Sequence, residues 1–152
     1  MKWQTGLIVR IRNYKFEDDN SVRDKYAIVL YANDHEACLI HSLTTSKNNP
    51  GVSSLKYGCA VAGNVPYYFF PKGQVIGDEA FSFESDTFIF FRNNVRKASY
   101  SKFDAASKVL FGITRLGVLC DQELKRIIKC ALKSKFLPED IERELTVVRE
   151  AL

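Results

Sequence analysis

The chain has 152 residues, of which 46% are hydrophobic and 26% charged, and its formal net charge is +4. This length fits a single domain, residues 1–152, with a core of its own. No stretch has the unbroken apolar length of a membrane span, and Met1 to Gln4 lacks the apolar segment of a signal peptide. We therefore expect a cytoplasmic protein without membrane contact, whose modest charge permits nucleic-acid binding without requiring it.

The cysteines and histidines do not form a metal-binding pattern. No CxxC pair occurs and the two histidines add no ligand spacing, so we expect neither a metal nor a cofactor. Cys38 falls in an apolar run and Cys130 in an apolar helical stripe, which is typical of small buried hydrophobic residues. A cytoplasmic location also argues against a structural disulfide.

The N-terminal part predicts a strand followed by a polar loop. The apolar run at residues 6–11 (GLIVRI) predicts the strand, and residues 15–24 predict a mobile loop. The centre of this loop, residues 17–20 (EDDN), is acidic. Carboxylates bind a cation only where they converge, and a mobile loop does not impose convergence, so we assign no metal to it.

Residues 23–47 form the segment around which we expect the fold to be organised. Two apolar, β-branched runs, 26–30 and 37–43, flank the polar link 33–36 (NDHE). This pattern predicts two adjacent strands joined by a turn that Asn and Asp favour.

The two ends of this hairpin are polar. A basic residue, Arg23 or Lys25, opens the first strand, and residues 44–47 (TTSK) follow the second. Because the ends of adjacent strands lie close together, a cation and hydroxyl groups would meet there, as phosphate binding requires. Solvated strand ends have the same composition, so the pattern alone leaves both interpretations open.

Later runs predict further strands. The run at residues 65–70 (VPYYFF) contains Pro66, which favours an edge strand or a strand start. Its aromatic residues are more typical of a core than of a surface that stacks on bases. The strands predicted after the hairpin lie within residues 55–62, 65–70, 74–83, 87–91 and 95–99.

The pattern becomes helical from residue 100 onward. Residues 101–107 predict a short helical turn, and 107–117 are ambiguous because two glycines interrupt them. Leu124 and the apolar residues that recur after it predict a helix from Asp121, and Pro138 opens a last helix. Strands followed by helices indicate an α+β domain. We expect a strongly bent, mostly antiparallel sheet or small barrel at about residues 5–100 and helices at about 101–152.

The chain lacks the motifs of phosphate-binding loops, dinucleotide-binding folds and α/β-hydrolases. His41 is three residues before Thr44 and is a candidate base, but an apolar strand is more typical of a structural histidine. Metal-free RNA cleavage requires an acceptor for the 2′-hydroxyl proton, a cation for the phosphorane and a proton donor for the leaving oxygen. The residues of suitable type are Arg23, Lys25, Thr44, Thr45, Ser46 and Lys47, with Arg96 and Lys97 further along.

The order of these motifs resembles the MazF/PemK family of toxin endoribonucleases. That family has a first strand, a polar loop, a basic residue before an apolar strand, and a Thr-Ser element after a later one. Where the family usually has Arg-Pro, this chain has RDKY at residues 23–26. The matching stretches are GLIVRI (6–11), AIVL (27–30), LIHSLTTSK (39–47), the pair 86–91 and VRKAS (95–99), and the helix start at 116–124.

The resemblance implies an SH3-like barrel that is usually a homodimer, cleaves single-stranded RNA without a metal and is inhibited by an antitoxin protein. It places Lys25, or Arg23 after one loop adjustment, at the catalytic basic position, with Thr45 and Ser46 holding the phosphate. The expected RNA-binding residues are Lys47, Arg96 and Lys97.

Two other functions fit the same sequence. The chain would be a catalytically inactive barrel module that binds nucleic acid or a protein partner, or a structural protein that dimerises through its barrel and last helix.

Overall fold

The computed structural model describes residues 2–15, 22–48, 51–52, 54–109 and 112–152. These residues form eight strands, three α-helices and one short 3₁₀ helix. The elements are β1 (Leu7–Lys15), β2 (Val22–Asn33), β3 (Cys38–Leu43), β4 (Gly58–Ala62), β5 (Val65–Phe70), the 3₁₀ helix (Asp78–Ala80), β6 (Thr87–Phe90), β7 (Val95–Ser99), α1 (Tyr100–Val109), β8 (Ile113–Val118), α2 (Asp121–Ala131) and α3 (Glu139–Ala151). The central acidic part of the predicted loop, residues 17–20, lies outside the described residues.

The strands form two antiparallel sheets. The larger sheet has the order β7-β3-β2-β1-β8 and the smaller one the order β4-β5-β6. Thr45 connects them, because its N–H donates to the Phe88 carbonyl at 2.9 Å and the Phe88 N–H donates back at 2.8 Å. The predicted α+β class is therefore confirmed, whereas the two sheets are not closed into a barrel in the described residues, and the SH3-like barrel stays a prediction.

The predicted hairpin is confirmed as β2 and β3, which pair antiparallel at the centre of the larger sheet. Its turn is fixed by Asn33, whose side-chain oxygen accepts the N–H groups of His35 at 3.0 Å and Glu36 at 3.2 Å. An Asn side chain that binds the backbone two and three residues later closes a turn without help from other segments. Local chemistry therefore fixes the turn, and pairing with the neighbouring strands β1 and β7 supports the hairpin.

The larger sheet has a core on each of its faces. On one face, Ile28 and Leu30 of β2 pack with the aromatic residues of the smaller sheet and with α2 and α3. On the other face, Ala27 and Val29 pack with Trp3 and with the start of α1. Strand residues alternate between faces, and because both faces are covered, the middle of β2, residues 26–32, is a continuous apolar run instead of an alternating one.

The aromatic run at residues 65–70 is core, as predicted. Tyr67, Tyr68, Phe69 and Phe70 are all buried, with at most 2% of each residue exposed. The strand is not at an edge, however, because β5 lies between β4 and β6. Pro66 is accommodated near the strand start, where its carbonyl still accepts the N–H of Phe91 at 3.0 Å.

Three segments differ from the sequence-based prediction. The loop predicted at residues 15–24 is too long, because β1 extends to Lys15 and β2 begins at Val22. Residues 113–118 form the edge strand β8, which pairs with β1, although the glycines around them hid any pattern. Residues 74–83 contain the 3₁₀ helix instead of a strand. Gly77 is required next to it, because a Cβ atom there would lie 2.9 Å from the Val118 carbonyl oxygen.

The helices α2 and α3 begin where the sequence predicts and bury the expected apolar faces. Glu123, in the first turn of α2, is 4% exposed and accepts hydrogen bonds from the hydroxyls of Tyr57 and, at 2.8 Å, of Tyr68. Burial raises the pKa of the Glu123 carboxyl. No helix among the described residues is long and apolar enough to cross a membrane.

A disulfide joins Cys59 of the edge strand β4 to Cys130 of α2, with 5.6 Å between their Cα atoms. This corrects the expectation that Cys130 is a free buried thiol and that no structural disulfide forms. The two cysteines are 71 residues apart, so their spacing gives no indication of the pairing. Cys38 and Cys120 are free.

The disulfide predicts a redox-dependent stability. Removing it with Cys59→Ser should lower the free energy of unfolding by about 2–4 kcal/mol, because the cross-link restricts the unfolded chain. Urea unfolding in oxidising buffer measures this change, and Cys120→Ser, which removes an exposed free thiol, is the matched control. Reductant should bring the unchanged protein to the stability of the Cys59→Ser variant. Equal urea midpoints for the unchanged protein, Cys59→Ser and Cys120→Ser in oxidising buffer would contradict the prediction.

Candidate functional site

The site lies where β2 and β3 separate. β2 begins at Val22, but its pairing with β3 begins only at Ala27, opposite Leu43. The chain then makes one more backbone hydrogen bond with β2, from the Thr44 N–H to the Tyr26 carbonyl at 3.0 Å. After that it crosses to the smaller sheet. The first residues of β2 and the departing chain therefore diverge, and a cleft opens between them.

We call this space the Lys25 cleft, and it encloses about 200 Å³. It has three walls, which come from the start of β2, from the chain after β3 and from the segment before β6. Its described lining residues are Arg23, Asp24, Lys25, Tyr26, Thr44, Thr45, Ser46, Lys47, Phe83, Glu84, Ser85 and Thr87. The structure thus brings together all four predicted catalytic residues and the predicted RNA-binding residue Lys47.

Lys25 lies between the two diverging segments that form the cleft. Its Nζ donates to the Thr44 carbonyl at 2.5 Å and so spans the two diverging segments. Burial, together with the positive charges of Arg23 and Lys47, lowers the pKa of Lys25 from 10.5 to about 8. The sequence left open whether Arg23 or Lys25 faces the Thr-Ser element, and in the structure both line the same cleft.

The hydroxyl groups of the second wall have different surroundings. Thr44 is buried and its hydroxyl donates to the Tyr26 carbonyl at 3.3 Å. The Thr45 hydroxyl oxygen accepts the N–H of Lys47 at 3.1 Å, which fixes its position and leaves its proton to be donated elsewhere. Ser46 is exposed. Thr45 and Ser46 are therefore the hydroxyl groups suited to contact a ligand.

Sequence reasoning missed the third wall of the cleft. Phe83 packs edge-on against Tyr26, with 5.4 Å between the ring centroids, and Glu84 adds an exposed carboxylate beside the cations. These residues approach the hairpin because Thr45 pairs with Phe88, a contact between segments more than forty residues apart. No short motif in the sequence indicates such a pairing.

The predicted RNA-binding residues of β7 lie outside this cleft. Lys97 donates to Glu144 of α3 at 2.9 Å and lies 3.7 Å from Glu36. Arg96 is opposite His41 in the pairing of β3 with β7. Both residues line a second, open groove of about 400 Å³ with Arg92 and Phe136. The structure therefore separates Arg96 and Lys97 from the other predicted site residues.

His41 is a structural residue rather than a base of the cleft. It is 9% exposed and packs edge-on against Phe103 at 4.8 Å between ring centroids. Burial, and then the charge of Arg96, lowers the pKa of His41 from 6.5 to about 4. The imidazole is therefore neutral at physiological pH.

No group of three or more His, Cys, Asp or Glu side chains is placed to hold a metal ion in the part of the chain that the structure describes. Comparison of the chain with models of protein families and with curated protein sequences gives no match. The function therefore has to be argued from the geometry of the cleft itself.

The Lys25 cleft has the composition of a phosphate site that also carries acid–base groups. Arg23, Lys25 and Lys47 supply positive charge, which attracts a phosphodiester into a partly dry space. The hydroxyls of the second wall add neutral hydrogen-bond donors to phosphate oxygens. Asp24 and Glu84 add carboxylates, so the cleft contains both proton donors and proton acceptors.

His41 predicts an acid-dependent loss of stability. Its pKa is about 4 in the folded chain and 6.5 when exposed, so the unfolded chain binds the proton more tightly. The contribution of buried, neutral His41 to the free energy of unfolding is complete above pH 6.5. It is lost as the pH falls from 6.5 to about 4, a change of up to roughly 3 kcal/mol. Urea unfolding at a series of pH values measures this slope. His41→Phe should reduce this pH dependence, whereas His35→Gln, in the exposed turn, should not. Equal slopes for the unchanged protein and both variants would show that His41 is not the group responsible.

Proposed function

We propose that the chain is an endoribonuclease that cleaves single-stranded RNA without a metal ion. The observation that supports it best is Lys25, a partly buried ammonium with a lowered pKa in a cleft that also holds two other cations, several hydroxyls and two carboxylates. A plain phosphate-binding site needs the cations alone. Chemistry at a phosphodiester also needs groups that exchange protons near neutral pH, and a lysine with a pKa of about 8 is such a group.

The proposed reaction is attack of the RNA 2′-oxygen on the adjacent phosphorus. A carboxylate, Asp24 or Glu84, accepts the proton of the 2′-hydroxyl, and the bond between phosphorus and the 5′-oxygen breaks. The Lys25 ammonium gives a proton to that oxygen. The products are a 2′,3′-cyclic phosphate and a 5′-hydroxyl, so no water, metal or oxidant takes part in the step.

The remaining residues hold the phosphate while its charge grows. Arg23 and Lys47 stabilise the additional negative charge of the phosphorane, which is larger than that of the starting diester. Thr45 and Ser46 donate hydrogen bonds that fix the phosphate relative to Lys25. Because lysine lacks the planar fork of arginine, it holds a phosphate less rigidly but transfers its proton more readily.

The proposal includes the architecture and partners that the family resemblance implies. The two connected sheets would act as an SH3-like barrel, the protein would work as a homodimer, and an antitoxin protein would inhibit it by covering the basic cleft. It would act in the cytoplasm, where messenger RNA is translated. The Cys59–Cys130 disulfide would then be reduced for much of the time, because cytoplasmic thiols are kept reduced.

A second function is a module that binds RNA or an acidic protein segment without cleaving it. The chain has RDKY where the family usually has Arg-Pro, and this difference at the basic position favours the second function. Such a module would bind with strong salt dependence and release no product.

Incubation of the purified protein with single-stranded RNAs of varied sequence in EDTA tests the proposal. We expect products with 2′,3′-cyclic phosphate ends, and a loss of cleavage by about 100-fold or more for Lys25→Ala, which removes the proton donor. Arg23→Ala should cost about tenfold, because it removes a charge-assisted contact. Arg143→Ala, an exposed arginine of α3, is the control and should cleave normally. Folded protein that cleaves none of the RNAs would exclude the nuclease function.

The pH dependence of cleavage tests the role of Lys25 separately. Since the ammonium is the proton donor, cleavage should fall as the pH rises through about 8, and not through the 10.5 of an ordinary lysine. We expect kcat/KM to drop about tenfold per pH unit beyond that point, after subtraction of the uncatalysed hydrolysis of RNA. Lys25→Arg stays charged and should remove the drop while lowering the rate. An unchanged profile in this variant would assign the proton donor elsewhere.

A further inference from the structure

A second basic surface lies next to the Lys25 cleft. We call it the Arg92 groove, and it is the open groove lined by Arg92, Asn93, Val95, Arg96, Lys97, Phe136, Pro138 and Ile141. The described lining residues include three cations and no acidic side chain. Lys97 is engaged by Glu144 and Glu36, so the charge that the groove offers to a ligand comes mainly from Arg92 and Arg96.

The groove also offers a flat surface. The guanidinium of Arg92 lies over the ring of Phe136, with 5.2 Å between its Cζ atom and the ring centroid. Arg92 is exposed, so its guanidinium is accessible to a ligand. A guanidinium plane and an aromatic ring are the two protein surfaces on which an unpaired nucleobase stacks.

Hydrogen bonds from Ser134 fix the backbone next to the Arg92–Phe136 contact. The Ser134 hydroxyl donates to the Phe91 carbonyl at 2.5 Å, and it accepts the N–H of Phe136 at 3.1 Å. Ser134 is buried and therefore ties the turn after α2 to the turn after β6. These bonds fix the backbone on both sides of the Arg92–Phe136 contact, which lowers the entropic cost of binding a ligand there.

The turn that contains Arg92 is fastened to the strand that leads into the Lys25 cleft. Asn94, in the same turn as Arg92, donates to the Ser42 hydroxyl at 3.0 Å and to the Leu43 carbonyl at 3.1 Å. This fastens the turn to the end of β3, three residues before Thr45. At about 3.3 Å per strand residue, Thr45 of the cleft follows the Ser42 that holds this turn by about 10 Å of chain. One single strand of RNA is long enough to occupy both the cleft and the groove.

We propose that the Arg92 groove binds the nucleotide next to the one held in the Lys25 cleft. This inference rests on the proposed RNA substrate. A base stacks on the Arg92–Phe136 pair, and Arg96 binds the adjoining phosphate. The groove extends the bound length of the RNA and contributes affinity that a short substrate lacks. An acidic peptide would use the charges but has no use for the flat surface, which is why the geometry favours RNA.

Binding measurements with RNAs of two lengths test the inference. Fluorescence anisotropy would measure the affinity of a short RNA that fills only the cleft, and of a longer one that reaches the groove. Both would carry 2′-O-methyl sugars, which block attack by the 2′-oxygen. Arg92→Gln and Phe136→Leu should weaken the longer RNA by about tenfold and leave the short one unchanged. Arg92→Gln should also reduce the salt dependence of binding by about one phosphate contact, a slope change of roughly 0.7.

Two further variants separate stacking from charge and from misfolding. Arg92→Lys keeps the charge but loses the planar surface, so it should lose most of the affinity that Arg92→Gln loses. Arg143→Gln removes an exposed arginine elsewhere and should bind both RNAs normally. Thermal unfolding confirms that each variant is folded.

The failures of the inference and of the proposed function give different results. If the groove variants bind the longer RNA like the unchanged protein while Lys25→Ala weakens both RNAs, the groove inference is wrong and the cleft stands. If the longer RNA binds through Arg92 but unmodified RNA is never cleaved, the nuclease function is wrong and the groove stands. If neither RNA binds, or if only an acidic peptide binds in an Arg92-dependent manner, the groove is not an RNA site.

Discussion

The structure depends on the crossing of the chain from the larger sheet to the smaller one just after β3. Up to Leu43 the chain pairs with β2, and at Thr45 it already pairs with Phe88 of the other sheet. A strand that changes partners over two residues has to turn away from its first neighbour, so β2 continues with one side uncovered. The cleft, its basic residues and its third wall are consequences of this crossing.

The same crossing explains why the cations are close together. A hairpin by itself would leave Arg23, Lys25 and Lys47 at solvated strand ends, where like charges separate and cost little. In the cleft, Lys25 is held by the Thr44 carbonyl, and its burial, followed by the other two charges, lowers its pKa. The folded protein thus accepts electrostatic repulsion that a bound phosphodiester would relieve. A cluster of ionisable groups that shift one another's pKa in a partly buried cleft is typical of ligand sites.

Much of the fold and two walls of the cleft could be predicted from the sequence because their signals are local. Asn33 closes the hairpin through its own backbone neighbours, and the stripe that begins at Leu124 fixes α2. The third wall could not be predicted, because Glu84 reaches the cleft only through the pairing of Thr45 with a distant strand. β8 was missed for a related reason. It is an edge strand whose partner, β1, lies more than 100 residues earlier in the chain.

The sequence indicated only some of the residues that form the Arg92 groove. VRKAS at residues 95–99 indicated basic residues on a strand, but it could not show that Lys97 is neutralised by Glu144. Nor could it show that Phe136, from the turn after α2, lies under Arg92. Both facts arise from the packing of the C-terminal helices against the sheets. In the structure, the turn after α2 therefore completes a surface whose charges come from β7 and from the turn before it.

The disulfide need not control the cleft, because α2 is anchored to the smaller sheet in more than one way. Its apolar face is buried, and Glu123 accepts hydrogen bonds from Tyr57 and Tyr68 in the first turn. Cys59 adds a covalent link near the other end of the helix. Reduction would remove that link and leave the buried contacts, while the Lys25 cleft is built from β2, the crossing chain and the segment before β6. The geometry of the cleft is therefore compatible with both an oxidising and a reducing compartment.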